Sequence, residues 1–98
     1  MNIVSYWKNS RTIHQEADFT LIIGDYDHKN EHNGGKKQLG VHWDNYPNSH
    51  NVLCPCVIPK KSREAFLAGL LHQAVNDGDL SAISALTEAI AYFQDKTP

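Results

Sequence analysis

The stretch that decides the fold is SREAFLAGLLHQAVNDGDLSAISALTEAIAYF, residues 62–93. Its apolar residues recur every three or four positions, which is the spacing of one face of an α-helix. They form two runs separated by Gly78, a residue that readily adopts the left-handed conformation in which helices end. The pattern therefore predicts two helices, at about 62–77 and 80–94. Because only a few residues connect them, we expect an antiparallel helical hairpin.

Both predicted helices have suitable capping residues at their N-termini. Ser62 precedes the first apolar run, and either Asp79 or Ser81 can accept hydrogen bonds from the first amides of the second helix. The residues that we expect to be buried are Phe66, Leu67, Leu70, Leu71, Ala74 and Val75 in the first helix, and Leu80, Ile83, Leu86, Ile90 and Phe93 in the second.

The residues before this stretch have the pattern of β-structure. Alternating apolar residues at 18–26 and again at 37–43 predict two strands. The polar segment between them contains Asn33-Gly34, a strong turn signal. The sequence therefore predicts an antiparallel hairpin at about 18–43.

Further strands are expected on either side of this hairpin. Ile3–Trp7 is a candidate N-terminal strand, and Thr12–His14 is a weaker one. Residues 45–51 have the composition of a loop. Residues 52–58 are apolar, but Pro55 interrupts them, which favours an edge strand or an extended connector. The expected fold class is α+β: a small antiparallel β-sheet, the hairpin plus an N-terminal strand, packed by the C-terminal helical hairpin.

Length and charge limit the possible functions. The chain has 98 residues and a formal net charge of −2, which fits one domain, β-rich at 1–59 and helical at 60–98. This charge disfavours direct binding of nucleic acid or of a membrane surface. No apolar run approaches the ~20 residues of a membrane span, and no secretory signal is visible. We therefore expect a cytoplasmic protein.

The cysteines and histidines suggest one alternative, a small zinc-binding domain. Cys54 and Cys56 flank Pro55, a spacing unsuited to a disulfide, and we expect reduced thiols. With His42 and His50 they could supply the four ligands of a tetrahedral zinc site. However, one intervening proline makes it difficult for both sulfurs to face one ion. We therefore expect packed thiols, solvated histidines and no cofactor, with zinc kept as the alternative.

A group of acidic residues is the next candidate site. Asp25, Asp27, Glu31 and Asp44 lie near the predicted hairpin, where paired carboxylates could hold magnesium for phosphoryl chemistry. Solubilising charge at a strand end is the commoner explanation. The sequence contains no nucleophile elbow, zinc-protease motif or phosphate-binding loop. We therefore expect no enzymatic activity.

Aromatic residues suggest a contact surface instead. The segment Trp43-Asp44-Asn45-Tyr46-Pro47 runs from a strand into a loop, so at least one ring is expected to be exposed. Exposed Trp and Tyr commonly anchor protein interfaces. Alternatively, rings near Lys36 and Lys37 could stack on single-stranded nucleic acid. We favour protein contact.

The helical part also resembles a known class of proteins. SREAFLAGLLHQAV at 62–75 and ALTEAIAYF at 85–93 are similar to segments of small proteins encoded by bacteriophages and mobile elements. This resemblance implies a protein that binds and blocks a host protein, and anti-CRISPR proteins are one such class. It assigns no functional residue.

These observations lead to a functional hypothesis: a non-enzymatic protein-binding module, an inhibitor of a host protein or protein complex such as a CRISPR-Cas complex. In one version the acidic residues occupy a basic groove as phosphates would, and charge reversal of Asp25 and Asp27 then weakens binding without unfolding. A homodimer formed through the second helix or an unpaired sheet edge is a further alternative. The candidate interface residues are Asp25, Asp27, Glu31, Trp43, Asp44 and Tyr46.

Overall fold

The computed structural model describes residues 6–16, 19–28, 33–44, 46–49 and 52–94. The chain divides into two compact units, Met1–Ile58 and Pro59–Pro98. The strands of the first unit are β1 (Trp7–Gln15), β2 (Thr20–Tyr26), β3 (Lys36–His42), β4 (Asn48–Ser49), β5 (Val52–Leu53) and β6 (Cys56–Ile58). The helices of the second unit are α1 (Lys60–Asp77) and α2 (Leu80–Phe93).

The predicted α+β class is confirmed. Four antiparallel strands form one sheet in the order β1-β2-β3-β6, and β4 and β5 form a separate two-stranded sheet. The predicted hairpin is β2–β3, in which Tyr26 pairs with Lys36 at one end and Thr20 pairs with His42 at the other. Asn33 (φ 53°), Gly34 (φ 98°) and Gly35 (φ 81°) adopt left-handed conformations before β3, as the Asn-Gly signal predicts.

The central strand β2 is buried on both faces, whereas the sequence predicts only one apolar face. Leu21 and Ile23 share one face, and Ile22 lies on the other, yet all three are fully buried. On the face of Ile22, Trp7 packs over Gly40, the residue of β3 that pairs with Ile22. The alternating apolar pattern therefore predicts fewer buried residues in β2 than the structure contains.

The Trp7 indole explains why position 40 is glycine. A Cβ atom at Gly40 would lie 2.6 Å from Cζ2 of Trp7 and 3.1 Å from Cγ1 of Ile22. The indole Nε1–H donates a hydrogen bond to the carbonyl oxygen of Pro55 at 3.3 Å. Trp7 thus joins the sheet to the segment that precedes β6.

The N-terminal strand of the sheet includes the weaker of the two predicted candidates. The strand in the sheet is β1, Trp7–Gln15, which contains the weaker candidate Thr12–His14; residues 3–5 of the Ile3–Trp7 candidate lie outside the described residues. The register of β1 against β2 shifts between Lys8 and Arg11 and again between Thr12 and His14. Each shift disrupts the alternation of side chains, so the sequence of β1 lacks a clean period of two.

The segment between the hairpin and the helices is more ordered than its composition predicts. Asn48–Ser49 within the predicted 45–51 loop forms β4, which pairs with β5. The Tyr46–Pro47 peptide bond is cis. β6 is an edge strand beside β3, as expected for an apolar run interrupted by proline.

The two helices match the predicted ranges, but one predicted cap is wrong. α1 begins at Lys60, two residues before Ser62, and Pro59 at its N-cap position makes no side-chain capping bond. The Ser62 backbone N–H donates to the Pro59 carbonyl oxygen at 3.0 Å. Proline is favourable at a helix start because its φ is already helical. Gly78 ends α1 with φ 66°, as predicted.

The helical hairpin buries fewer of its apolar residues than the sequence predicts. Leu67 and Ala74 of α1 and Leu86 and Ala89 of α2 are buried, whereas Phe66, Val75 and Leu80 are exposed. The buried set of α1 instead includes Arg63, whose guanidinium carbon lies 4.0 Å from the centre of the Phe93 ring. This cation–π contact joins the two helices.

The cap of α2 gives a direct stability prediction. Asp79 Oδ1 accepts a hydrogen bond from the Ala82 backbone N–H at 3.1 Å, so Asp79 rather than Ser81 is the cap. Asp79→Ala should lower the free energy of unfolding by about 1 kcal/mol, measured by urea denaturation. Ser81→Ala is the control and should change it by less than about 0.5 kcal/mol. Equal losses for the two variants would contradict this assignment.

Candidate functional site

The first candidate surface follows the end of β3. It consists of Trp43, Asp44 and Tyr46, which we call the aromatic turn. The Trp43 N–H donates to the Tyr46 carbonyl oxygen at 2.7 Å, and the Tyr46 N–H donates to the Trp43 carbonyl oxygen at 2.8 Å. These two reciprocal hydrogen bonds fix the separation of the two residues that carry the rings.

Both rings of the aromatic turn are exposed. Trp43 is 42% exposed and Tyr46 is 67% exposed. Their ring centroids lie 6.4 Å apart with an interplanar angle of 51°, within the range of interacting aromatic pairs. The turn therefore presents a paired aromatic surface to solvent.

A buried histidine supports the turn from the sheet. His42 is 8% exposed, and its Nδ1 lies 3.0 Å from the carbonyl oxygen of Asp44. Because a carbonyl oxygen only accepts, Nδ1 carries the proton in this bond. Asp44 itself has φ 49°, a left-handed conformation that aspartate tolerates better than most residues. His42 is therefore a structural support of the turn.

Among the described residues of the predicted acidic cluster, Asp44 is separated from Asp25 and Asp27. Asp25 is near the end of β2 and Asp27 follows that strand, whereas Asp44 follows β3. Because β2 and β3 are antiparallel, these positions lie at opposite ends of the hairpin, about 20 Å apart at ~3.4 Å per residue. Glu31 lies outside the described residues. The described acids therefore provide no continuous phosphate-like surface.

One of these acids has a structural role. Asp27 is 2% exposed, and its Oδ2 accepts a hydrogen bond from the Gly34 N–H at 2.9 Å. Its own N–H donates to the Tyr6 carbonyl oxygen at 2.7 Å. Charge reversal at Asp27 would therefore remove a hydrogen bond of the fold, so a loss of binding in that variant would not separate a binding role from a structural one.

Asp25, the other acid at this end of the hairpin, also makes contacts within the sheet. Asp25 is half-buried, and its Oδ2 accepts a hydrogen bond from Nδ2 of Asn9 at 3.3 Å. In the sheet it pairs with Lys37, a favourable opposite-charge pair. Asp25 thus contributes to the β1–β2–β3 contacts.

The residues of the zinc alternative are not brought together by the described structure. His42 and Cys56 lie on opposite faces of the sheet, because Cys56 pairs with Val41, the residue before His42. The Cys54 thiol donates to the Val52 carbonyl oxygen at 3.3 Å, and His50 lies outside the described residues. Both cysteines are free. Within the described ranges, no three His, Cys, Asp or Glu side chains are grouped as metal ligands.

A second candidate surface, missed by the sequence analysis, lies at the other end of the hairpin. It is an open hollow of about 240 Å³, lined by Tyr26, His28, Gly35, Lys36 and Gln38. We call it the tyrosine hollow. The Tyr26 hydroxyl lies 2.8 Å from Nδ1 of His28. Tyr26 pairs with Lys36 across the hairpin, so both lie on the same face.

Further rings pack beside the tyrosine hollow. The Tyr26 ring lies 5.2 Å from Trp7 and 6.5 Å from Tyr6, centroid to centroid. The Tyr6 ring also lies 5.6 Å from His28. Tyr6 has φ 63°, which is strained for a bulky residue. The sequence contains these rings but gives no sign that they meet, because Trp7 comes opposite Tyr26 only through the irregular β1–β2 pairing.

The environment of Tyr26 favours its neutral form. Burial raises the pKa of the Tyr26 phenol above 10.0, and the nearby Tyr6 and Cys54 raise this pKa further. The hydroxyl is therefore protonated at neutral pH. The Tyr26–His28 pair thus contains a neutral phenol.

Comparison of the chain with protein-family models, curated proteins and solved structures found no match. Neither α1 nor α2 combines the length and the hydrophobicity that a membrane-spanning helix requires.

Proposed function

We propose that this protein is a non-enzymatic protein-binding module and that the aromatic turn is its anchor. The observation that supports the proposal is the exposure of Trp43 and Tyr46 side by side on a turn closed by two backbone hydrogen bonds. The proposed partner is a host protein or protein complex. A CRISPR-Cas complex is the instance implied by the resemblance of the helical segments to small phage-encoded proteins.

The energetics of protein interfaces support this choice. Tryptophan and tyrosine are enriched among the few residues that supply most of the binding energy. Burying a large ring that already has a fixed backbone position costs little conformational entropy. The hydrogen bonds of the turn, together with the His42 contact to Asp44, provide that fixed position.

Protein contact is favoured over stacking on single-stranded nucleic acid. Nucleic-acid binding by stacking usually combines rings with a positively charged groove. Lys36 and Lys37 begin β3, whereas Trp43 follows its end, so these lysines lie about 20 Å from the exposed rings at ~3.4 Å per residue. The residue that follows Trp43 is instead an exposed acid, Asp44.

Site-specific photo-crosslinking tests the proposal. A benzophenone amino acid replaces Tyr46, and irradiation is carried out in a lysate of the native host. We expect a single crosslinked protein, and its yield should rise in proportion to the amount of this module that is added. The matched control places the same group at Leu80, an apolar side chain that is 78% exposed and lies on α2.

The comparison of the two positions decides the outcome. A crosslinked protein that forms from position 46 and is absent from position 80 supports the proposal. The same products from both positions, or no product from position 46, would contradict it.

A further inference from the structure

We propose that the tyrosine hollow binds a small planar anion, namely a single aromatic ring that carries a carboxylate or phosphate group. This inference is independent of the aromatic turn, which lies at the opposite end of the β2–β3 hairpin. It rests on the lining side chains of the hollow, their charge and the rings that pack beside it.

The charge of the hollow selects an anion. Lys36 lines the hollow, whereas its neighbour Lys37 lies on the opposite face of β3, paired with Asp25. The acid that follows Tyr26 is Asp27, whose buried carboxylate accepts the Gly34 N–H. Among the described lining residues, Lys36 therefore supplies the charge, and its ammonium would repel the organic cations that aromatic clusters otherwise attract.

The polar lining groups provide hydrogen-bond donors for the same anion. The Tyr26 hydroxyl and the His28 ring together carry at least two protons on polar atoms, and their mutual hydrogen bond uses one. Whichever residue donates in that bond, one O–H or N–H donor is left for a ligand. The side-chain amide of Gln38 adds further donors. Such donors form their strongest hydrogen bonds with charged oxygens.

The rings beside the hollow and the volume of the hollow indicate the shape and size of the rest of the ligand. The Tyr26 ring lines the hollow and is backed by Trp7 and Tyr6, a surface suited to stacking a planar ring. The volume of about 240 Å³ is below the ~300–1,000 Å³ typical of sites for drug-sized ligands. A single ring with one anionic group is of suitable size. The left-handed backbone of Tyr6 is the kind of local strain that is concentrated at ligand sites.

Titration with phenyl phosphate, followed by NMR of the full chain, tests this inference. We expect saturable shifts of the Tyr26 and His28 ring signals, with a Kd of about 1 mM or below. Benzoate should produce shifts at the same residues. Neutral benzamide and inorganic phosphate should each bind at least about fivefold more weakly than phenyl phosphate, because each lacks one of the two recognised parts.

Two lysine variants provide a matched comparison. Lys36→Gln should raise the Kd for phenyl phosphate at least about fivefold, whereas Lys37→Gln, with the same loss of charge on the opposite face, should change it less than about twofold. Tyr26→Phe keeps the ring and should also weaken binding, because it removes the hydroxyl. The NMR spectrum of each variant establishes that it is folded.

The opposite results would overturn the inference. These are no shifts at Tyr26 and His28 with phenyl phosphate at about 10 mM, equal binding of benzamide, or equal losses in the two lysine variants. Equal affinity for inorganic phosphate would likewise contradict the proposed recognition of the ring. None of these measurements involves Trp43 or Tyr46, so failure here is distinguishable from failure of the proposed protein contact.

Discussion

Trp7→Ala is expected to lower the free energy of unfolding by about 3–5 kcal/mol. The indole is buried, packs over Gly40, and donates a hydrogen bond to the Pro55 carbonyl oxygen. Its truncation would leave a large cavity and remove this bond. Because small domains are stable by only about 5–15 kcal/mol, urea denaturation should show a much lower midpoint or a loss of the folded baseline.

A double-mutant cycle with Gly40 tests the same contact in folded variants. Gly40→Ala should cost about 1–3 kcal/mol in the wild-type background, because its Cβ would overlap Cζ2 and Cη2 of Trp7. In a Trp7→Phe background the shorter ring lacks those atoms, and the cost of Gly40→Ala should fall by at least half. An equal cost in both backgrounds would contradict the proposed packing of Trp7 on Gly40.

Gly35→Ala is expected to cost about 2–5 kcal/mol, the sum of a left-handed backbone penalty and a steric overlap. Gly35 has φ 81°, and its Cβ would lie 2.7 Å from the Asp27 amide nitrogen and closer still to the Tyr26 carbonyl. These are backbone atoms of the adjoining strand end, which have little freedom to move. Thermal or urea unfolding measures the loss.

The preceding glycine is a matched control for this loss. Gly34 also has a positive φ, 98°, but a Cβ there would meet no atom within 4 Å. Gly34→Ala should therefore cost only the backbone penalty of about 1–2 kcal/mol. If the two alanine variants were equally stable, steric overlap at Gly35 would not be the reason for glycine at that position.

Much of the fold follows from local signals. The helical period and Gly78 predict both helices, and the alternating strands with Asn33-Gly34 predict the β2–β3 hairpin. β1 is harder to predict from the sequence because its two register shifts disrupt the alternation of its side chains between the two faces. The start of α1 at Lys60 instead of Ser62 reflects the ability of Pro59 to precede a helix without a side-chain cap.

The candidate sites could be predicted from the sequence only in part. The separation of Asp44 from Asp25 follows from the predicted hairpin itself, since the end of one antiparallel strand lies beside the start of the other. The tyrosine hollow depends on contacts between distant segments, including Tyr6 beside Tyr26 and His28. No local pattern reports such contacts. The exposure of Trp43 and Tyr46, by contrast, could be predicted from the sequence, because the two residues follow the end of a strand.

The affinity of the crosslinked partner, once purified, tests the central proposal most directly. Isothermal titration calorimetry compares the wild-type protein with the Trp43→Ala/Tyr46→Ala double variant and with Leu80→Ala, which removes exposed apolar surface on α2. We predict that the double variant, with an unchanged unfolding temperature, has a Kd at least about tenfold higher, equivalent to ~1.4 kcal/mol. Leu80→Ala should bind as the wild type does. A double variant that is folded and binds with the wild-type Kd would contradict the proposal that the aromatic turn anchors a protein partner.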